Sequence, residues 1–324
     1  MIESWQQPAW GLLVRRHAEG RLPHGLLLHG PAGVGKRSVA SQFTALVLCA
    51  SPRDGRACAV CRGCTLLAAG THPDHHRIGL EEDSRQIRVD AVREVSRKAA
   101  LTSSEGGYQV FVVDPADRMN VNAANAFLKT LEEPRPGTLL LLVAEAPTQL
   151  PITVLSRCQQ VAIALPSTAD ATAWLERATP AATTDERQLA LEAAGGSPGV
   201  AARLLEDGHA DAYPETLRDL DALASGDTDP ISVAQRWAES LPALRLAWMS
   251  RALREAGWRQ VGVASKRRTG LTAVRDLASL SSLEGATNRA RRLLESNLRP
   301  ELLIESLLLD WMRGKASARG GRSW

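Results

Sequence analysis

Two clusters in this 324-residue chain have the residue types and spacing to do chemistry. The first is Gly30-Pro31-Ala32-Gly33-Val34-Gly35-Lys36-Arg37. Glycines at 30, 33 and 35 let successive backbone N–H groups turn inward, and the helix that follows adds the positive end of its dipole. Lys36 carries the charge that would reach the outer phosphates of a nucleotide. Where such a loop holds Mg²⁺, the residue after the lysine is Ser or Thr, whose hydroxyl binds the metal. Here it is Arg37, a fixed cation that only donates. Ser38 comes one residue late and is turned by about 100° around the helix. The loop therefore predicts a nucleotide site with room for ATP or ADP but without ordinary metal-assisted hydrolysis.

The second cluster is Cys49, Cys58, Cys61 and Cys64, in the run CASPRDGRACAVCRGC. Four thiolates at this spacing suit a tetrahedral structural Zn²⁺, with no position left open for water. An iron–sulfur cluster is the competing reading. The bacterial ferredoxin pattern, however, puts its fourth cysteine shortly after the third and before a proline, which is not seen here. His72 lies nearby in THPD; with four cysteines already completing a shell, a core or helix-capping role is expected for it.

A third stretch, QVFVVDPADRM, reads as a buried strand ending in Asp114. That is where a magnesium-organising carboxylate belongs in a hydrolytic phosphate-loop protein. The next position, which usually polarises the attacking water with Glu, is Pro115, and Asp117 lies too far along to replace it.

These residues need a scaffold, and the apolar pattern supplies one. Strands are expected at 26–30, 75–80, 109–114, 138–144 and 158–165, with helices at 37–48, 89–99 and 122–133, the last stopped by Pro134. Continuous apolar strands alternating with helices indicate a parallel sheet covered on both faces, an α/β fold. After Pro166 no strong strand follows. Two short helices end at Gly195-Gly196, and the chain is helical from about residue 210. One helical pattern runs from Ile231 to Ala256, with Pro242 as a candidate break, and another occupies 300–312. Six of the eight tryptophans lie after residue 170, as core or interface anchors of this helical part.

Composition narrows the class. The net charge is +3, and the last twelve residues hold four basic side chains and no acid, so the body is close to neutral. Charge alone gives no reason to expect nucleic-acid binding. No apolar run nears the roughly 20 residues of a membrane span, and the start lacks a signal-peptide pattern. A cytoplasmic protein is expected. Five cysteines, an odd number, do not suggest a disulfide framework.

Taken in order, the glycine loop, the CxxCxxC module, THPD (71–74), DAVREV (90–95), VVDPAD, LKTLEEP (128–134), LSRC (155–158) and GSPG (196–199) resemble the bacterial DNA polymerase III delta-prime clamp-loader family, of the AAA+ class. The likeness spans about residues 20–200, with weaker support at 297–309. It implies an AAA+ nucleotide fold at 1–166 with the zinc module at 49–64 inserted, a small helical lid at 167–209, an all-α collar at 210–317 for oligomerisation, and a basic disordered tail at 318–324.

The resemblance also implies roles. Arg157 becomes an arginine finger for ATP bound by a neighbouring subunit, with Cys158 its buried neighbour. Gly30, Gly33, Gly35, Lys36 and Asp114 become a degenerate nucleotide site. Hydrolytic relatives carry a lid arginine where this chain has Gly199, and a polar sensor where it has Ala144 and Glu145. The implied protein is a non-motor stator without ATPase activity of its own. It works in a hetero-pentameric ring with motor subunits and delta that loads a sliding clamp onto primed DNA. The rival readings are an active AAA+ motor subunit, and a free-standing zinc- and nucleotide-binding regulator with no ring partners.

Overall fold

Alternate residues of each apolar run face opposite sides, and both sides are covered by helices. The computed structural model describes residues 1–81, 84–105, 107–262, 276–294 and 298–313. They form two compact units, divided between Arg203 and Leu204.

In the first unit a short 3-10 turn (Ser4–Gln6) leads into α1 (Gln7–Ala18), with a proline in its first turn. Then come β1 (Gly25–His29), α2 (Lys36–Val47), α3 (Arg62–Ala68), β2 (His75–Ile78) and α4 (Val89–Ala99). These are followed by β3 (Gln109–Val113), α5 (Val121–Glu132), β4 (Thr138–Ala144), the short α6 (Ile152–Leu155) and β5 (Gln159–Ala162). The strands line up in the order β2-β3-β4-β1-β5, every pairing parallel. The strand ends at 78, 113 and 162 fall short of the expected 80, 114 and 165, because the chain leaves the ladder to build loops at the C-terminal edge.

Leu26 and Leu28 of β1 point with Val110, Val112, Leu139, Leu141 and Val161 toward Trp10 and Leu13 of α1 and Val39 and Phe43 of α2. Leu27 points the other way, with Phe111, Leu140 and Leu142, toward Val92 and Val95 of α4 and Phe127 and Leu131 of α5. This two-sided burial is why the strands read as unbroken apolar runs. Asn120 caps α5 by accepting from the Ala123 N–H at 2.8 Å. Two further helices, α7 (Thr168–Ala178) and α8 (Thr184–Ala193), are capped by Ser167 and by a reciprocal Thr183–Glu186 pair. The helix α9 (Pro198–Glu206) begins in this unit.

The second unit is helical among its described residues: α10 (Ala212–Ser225), α11 (Pro230–Glu239), α12 (Pro242–Gln260), α13 (Leu277–Leu293) and α14 (Pro300–Arg313). Pro242 does split the long pattern: α11 stops at Glu239, and Leu241 sits at φ 59° before the new helix. Trp237 and Trp311 are fully buried among Leu220, Leu246, Met249 and Leu308. Both spend their N–H groups internally, Trp237 on Asp219 Oδ2 at 2.8 Å and Trp311 on Leu220 O at 3.3 Å. The basic tail expected at 318–324 lies outside the described residues.

Candidate functional site

β1 delivers residues 30–35 to the C-terminal edge of the sheet, and α2 starts at Lys36. Five consecutive loop carbonyls are engaged from within the chain. Lys36 Nζ donates to Gly30 O at 2.8 Å and to Pro31 O at 2.7 Å. Ser197 Oγ donates to Ala32 O at 2.6 Å, and the Gly199 N–H donates to Gly33 O at 3.1 Å. Val34 O accepts from Trp5 Nε1 at 3.0 Å and from Gln6 Nε2 at 2.9 Å. The loop is thus tied to the chain start on one side and to the GSPG turn on the other. The approach is close: a Cβ on Gly33 would sit 2.4 Å from Ser197 Oγ, and one on Gly199 would sit 2.6 Å from Gly33 O.

Lys36, whose charge would reach the outer phosphates of a nucleotide, is buried here and donates to the carbonyls of its own loop. Burial draws its pKa below the usual lysine value, against the opposing pull of Glu145, Asp117 and Asp114.

Arg37 meets Asp114 directly, with Nε donating to Oδ2 at 2.7 Å. The Asp114 carboxylate is only 7% exposed, while the arginine side chain is 71% exposed. The cation therefore covers the one carboxylate that a magnesium ion would need. The Asp114–Pro115 peptide is cis. Asp117 is committed elsewhere, accepting from the backbone N–H groups of Ala146 at 2.8 Å and Glu145 at 3.2 Å. Its Oδ2 thereby pins the turn after β3 to the end of β4.

The four cysteines converge. Their sulfurs all lie within 4.8 Å of one another, and Cys49 Sγ and Cys61 Sγ are 3.9 Å apart. Tetrahedral zinc–thiolate bonds of about 2.3 Å would space the sulfurs at about 3.8 Å. Backbone N–H groups already point at the sulfurs, Cys58 N to Cys49 Sγ at 3.2 Å and Cys61 N to Cys58 Sγ at 3.3 Å. Such donors pull the Cys61 thiol down to about 6, whereas burial pushes Cys64 up to about 12. Four ionised thiolates so close repel one another, and a dication at their centre removes that cost. The group could hold a metal ion. His72 is buried and accepts from the Asp74 N–H through Nδ1 at 3.1 Å, a core role.

Arg157 lies at the surface between α6 and β5. Its Nη2 meets Glu132 Oε1, at the end of α5, at 2.7 Å. Its Nη1 donates to Thr153 O at 2.9 Å. Cys158 is buried beside it, and desolvation pushes that thiol up to about 12. The arginine is remote in sequence from the glycine loop, and the structure does not join the two in one cluster.

A family model described as "DNA polymerase III, delta subunit" matches residues 5–167, a span that holds the glycine loop, the four cysteines and Arg157. The DNA polymerase III subunit delta' of Pseudomonas aeruginosa is 36% identical, covering 96% of this chain and 97% of that one. The chain belongs to the DNA polymerase III delta-prime family. The Escherichia coli delta' subunit is 35% identical over 94% of this chain and 93% of its own length. A gamma-subunit-related protein of Thermotoga maritima aligns in structure over 95% of this chain and 99% of its own, with a TM-score of 0.44 and 15% identity. Among the described residues, no helix is long and apolar enough to cross a membrane.

Sequence reasoning missed several members of this site. Trp5 and Gln6 hold the loop from outside any motif, while Ser197 and Glu132 lie inside GSPG and LKTLEEP, whose spacing did not assign them a partner. Their partners are backbone carbonyls or residues far along the chain, which spacing cannot reveal.

Proposed function

We propose that this chain is a non-hydrolysing subunit of a DNA polymerase III clamp loader, working in a hetero-pentameric ring with motor subunits and delta. The single observation that carries this reading is the Arg37–Asp114 ion pair at 2.7 Å. It puts a permanent cation where catalysis would place a dication, and the carboxylate beneath it is nearly buried. The engaged loop carbonyls and the inward-turned Lys36 support the same reading, because the loop is braced as a joint within its own chain. Pro115 offers no base to activate water. ATP or ADP binding at Gly30, Gly33, Gly35, Lys36 and Asp114 would use the loop N–H groups and draw Lys36 Nζ off the Gly30 and Pro31 carbonyls.

The contribution to ATP chemistry is then made in trans. Arg157 is the arginine finger, donating to phosphate oxygens of ATP on a neighbouring subunit as negative charge develops there. A rigid guanidinium so placed is worth ~10³–10⁵ in rate. The ring uses this ATP to open the sliding clamp and set it on primed DNA. The four cysteines hold a structural Zn²⁺ that orders residues 49–64.

The test is ATP turnover by the reconstituted loader on primed DNA, with Arg157→Ala or Lys36→Ala in this chain alone. Loss with Arg157→Ala and normal turnover with Lys36→Ala is the expected pattern. The reverse pattern would mean that the chain is itself a motor. Failure to co-elute with the other loader subunits would instead favour the free-standing regulator.

A further inference from the structure

Arg157 is held in a specific way. A guanidinium has five N–H donors in a rigid plane. Nη2 is used on Glu132 Oε1 at 2.7 Å, and Nη1 on Thr153 O at 2.9 Å with a longer approach to Ser156 Oγ at 3.4 Å. Nη2 keeps a second hydrogen, and Nε keeps its own. The side chain nevertheless remains 36% exposed. Two directions of the fork are thus fixed against the chain while the group still faces solvent.

The holding groups come from two different helices. Glu132 is the last residue of α5, a twelve-residue helix whose C-terminal end is the negative pole of its dipole. The Thr153 carbonyl lies in α6. A cation settled against both has its orientation set by main-chain elements as well as by one side chain. Glu132 is itself 48% exposed, so its carboxylate stays hydrated and is not trapped in the core. An arginine free in water would have to freeze its rotamers each time it met a phosphate. One already clamped loses less, because its plane is set in advance.

We propose that Glu132 is the positioning residue for Arg157: its carboxylate, with the Thr153 carbonyl, pre-orients the guanidinium so that its remaining donors meet the phosphates of ATP on the neighbouring subunit. This rests on the reading of Arg157 as a finger acting in trans. Glu132 touches no nucleotide and acts only through the arginine.

The experiment is steady-state ATP turnover by the reconstituted loader on primed DNA. It compares wild type, Glu132→Ala, Glu132→Gln, Arg157→Ala and the Glu132→Ala/Arg157→Ala pair, after co-elution shows that each variant enters the complex. For a half-exposed pair, Glu132→Ala should lower kcat about twofold to fivefold with a smaller change in KM. Glu132→Gln, which keeps an acceptor oxygen, should recover part of the loss. In the Arg157→Ala background, Glu132→Ala should cost nothing more. Normal kcat in Glu132→Ala alongside a damaged Arg157→Ala would overturn the positioning role and leave the finger standing. An additive loss in the double variant would overturn it too, by showing that Glu132 acts through something other than Arg157. Normal turnover in Arg157→Ala would instead defeat the finger reading itself.

Discussion

Two arginine–carboxylate pairs in this chain have the same 2.7 Å separation and opposite consequences. Arg37 covers Asp114, whose side chain is 7% exposed; Arg157 meets Glu132, whose side chain is 48% exposed. Breaking the first leaves a nearly buried carboxylate without its hydrogen-bonded counter-ion, which is costly. Breaking the second returns both groups to water, which costs little. Distance alone would call the pairs equivalent. The burial of the acid decides which arginine is a structural fixture and which is held at the surface with donors left over.

The largest effect that would sharpen this contrast is functional. Arg157→Ala should cut hydrolysis at the neighbouring site it serves by on the order of 10³, while thermal unfolding of the isolated chain stays nearly unchanged. A large fall in Tm with Arg157→Ala would erase the distinction between the two pairs.

Next in size is the four-cysteine cluster, which tests whether fixtures elsewhere are independent of both arginines. Cys61→Ser should release zinc and loosen residues 49–64, since structural zinc supplies folding energy directly. Elemental analysis and limited proteolysis read the two effects, and unchanged metal content would refute the ligand set.

Arg37→Ala probes the fixed pair itself. It should destabilise the first unit by about 1–2 kcal/mol, below the cost of a fully buried pair because the arginine is largely exposed. The isolated chain should still show no ATP turnover, because Pro115 provides no base. Hydrolysis appearing in Arg37→Ala would show that the cation was the only block. The smallest effect is expected for Ser197→Ala, which removes the 2.6 Å bond to Ala32 O. A loss of about 1 kcal/mol by denaturant titration would be typical of one hydrogen bond.

Much of this molecule was legible from residue order. The strand runs around Leu27, Phe111 and Leu140 declared a sheet covered on both faces, because their apolar character has no polar alternation to break it. The cysteine spacing announced a four-sulfur cluster, and the sulfurs do converge. The absence of a hydroxyl after Lys36 and of a base after Asp114 was equally plain. What spacing could not give was direction. Nothing in the order of residues shows that Lys36 donates to the Gly30 and Pro31 carbonyls of its own loop. The bonds from Trp5, Gln6 and Ser197 join segments up to 165 residues apart, and no local period encodes such contacts. Pro242 was read as a possible break within one helix, and it starts a second helix after Leu241 adopts a left-handed turn.

The contact between Gly199 and Gly33 bears on how this chain could change over generations. A methyl group on Gly199 would fall 2.6 Å from the Gly33 carbonyl, so an arginine there would have to push the turn off the loop. Placing an arginine at Gly199 would therefore cost packing at the loop before it could add a contact to a nucleotide. Losing a side chain at this position relieves the contact and gaining one creates it, so the two directions of change are unequal.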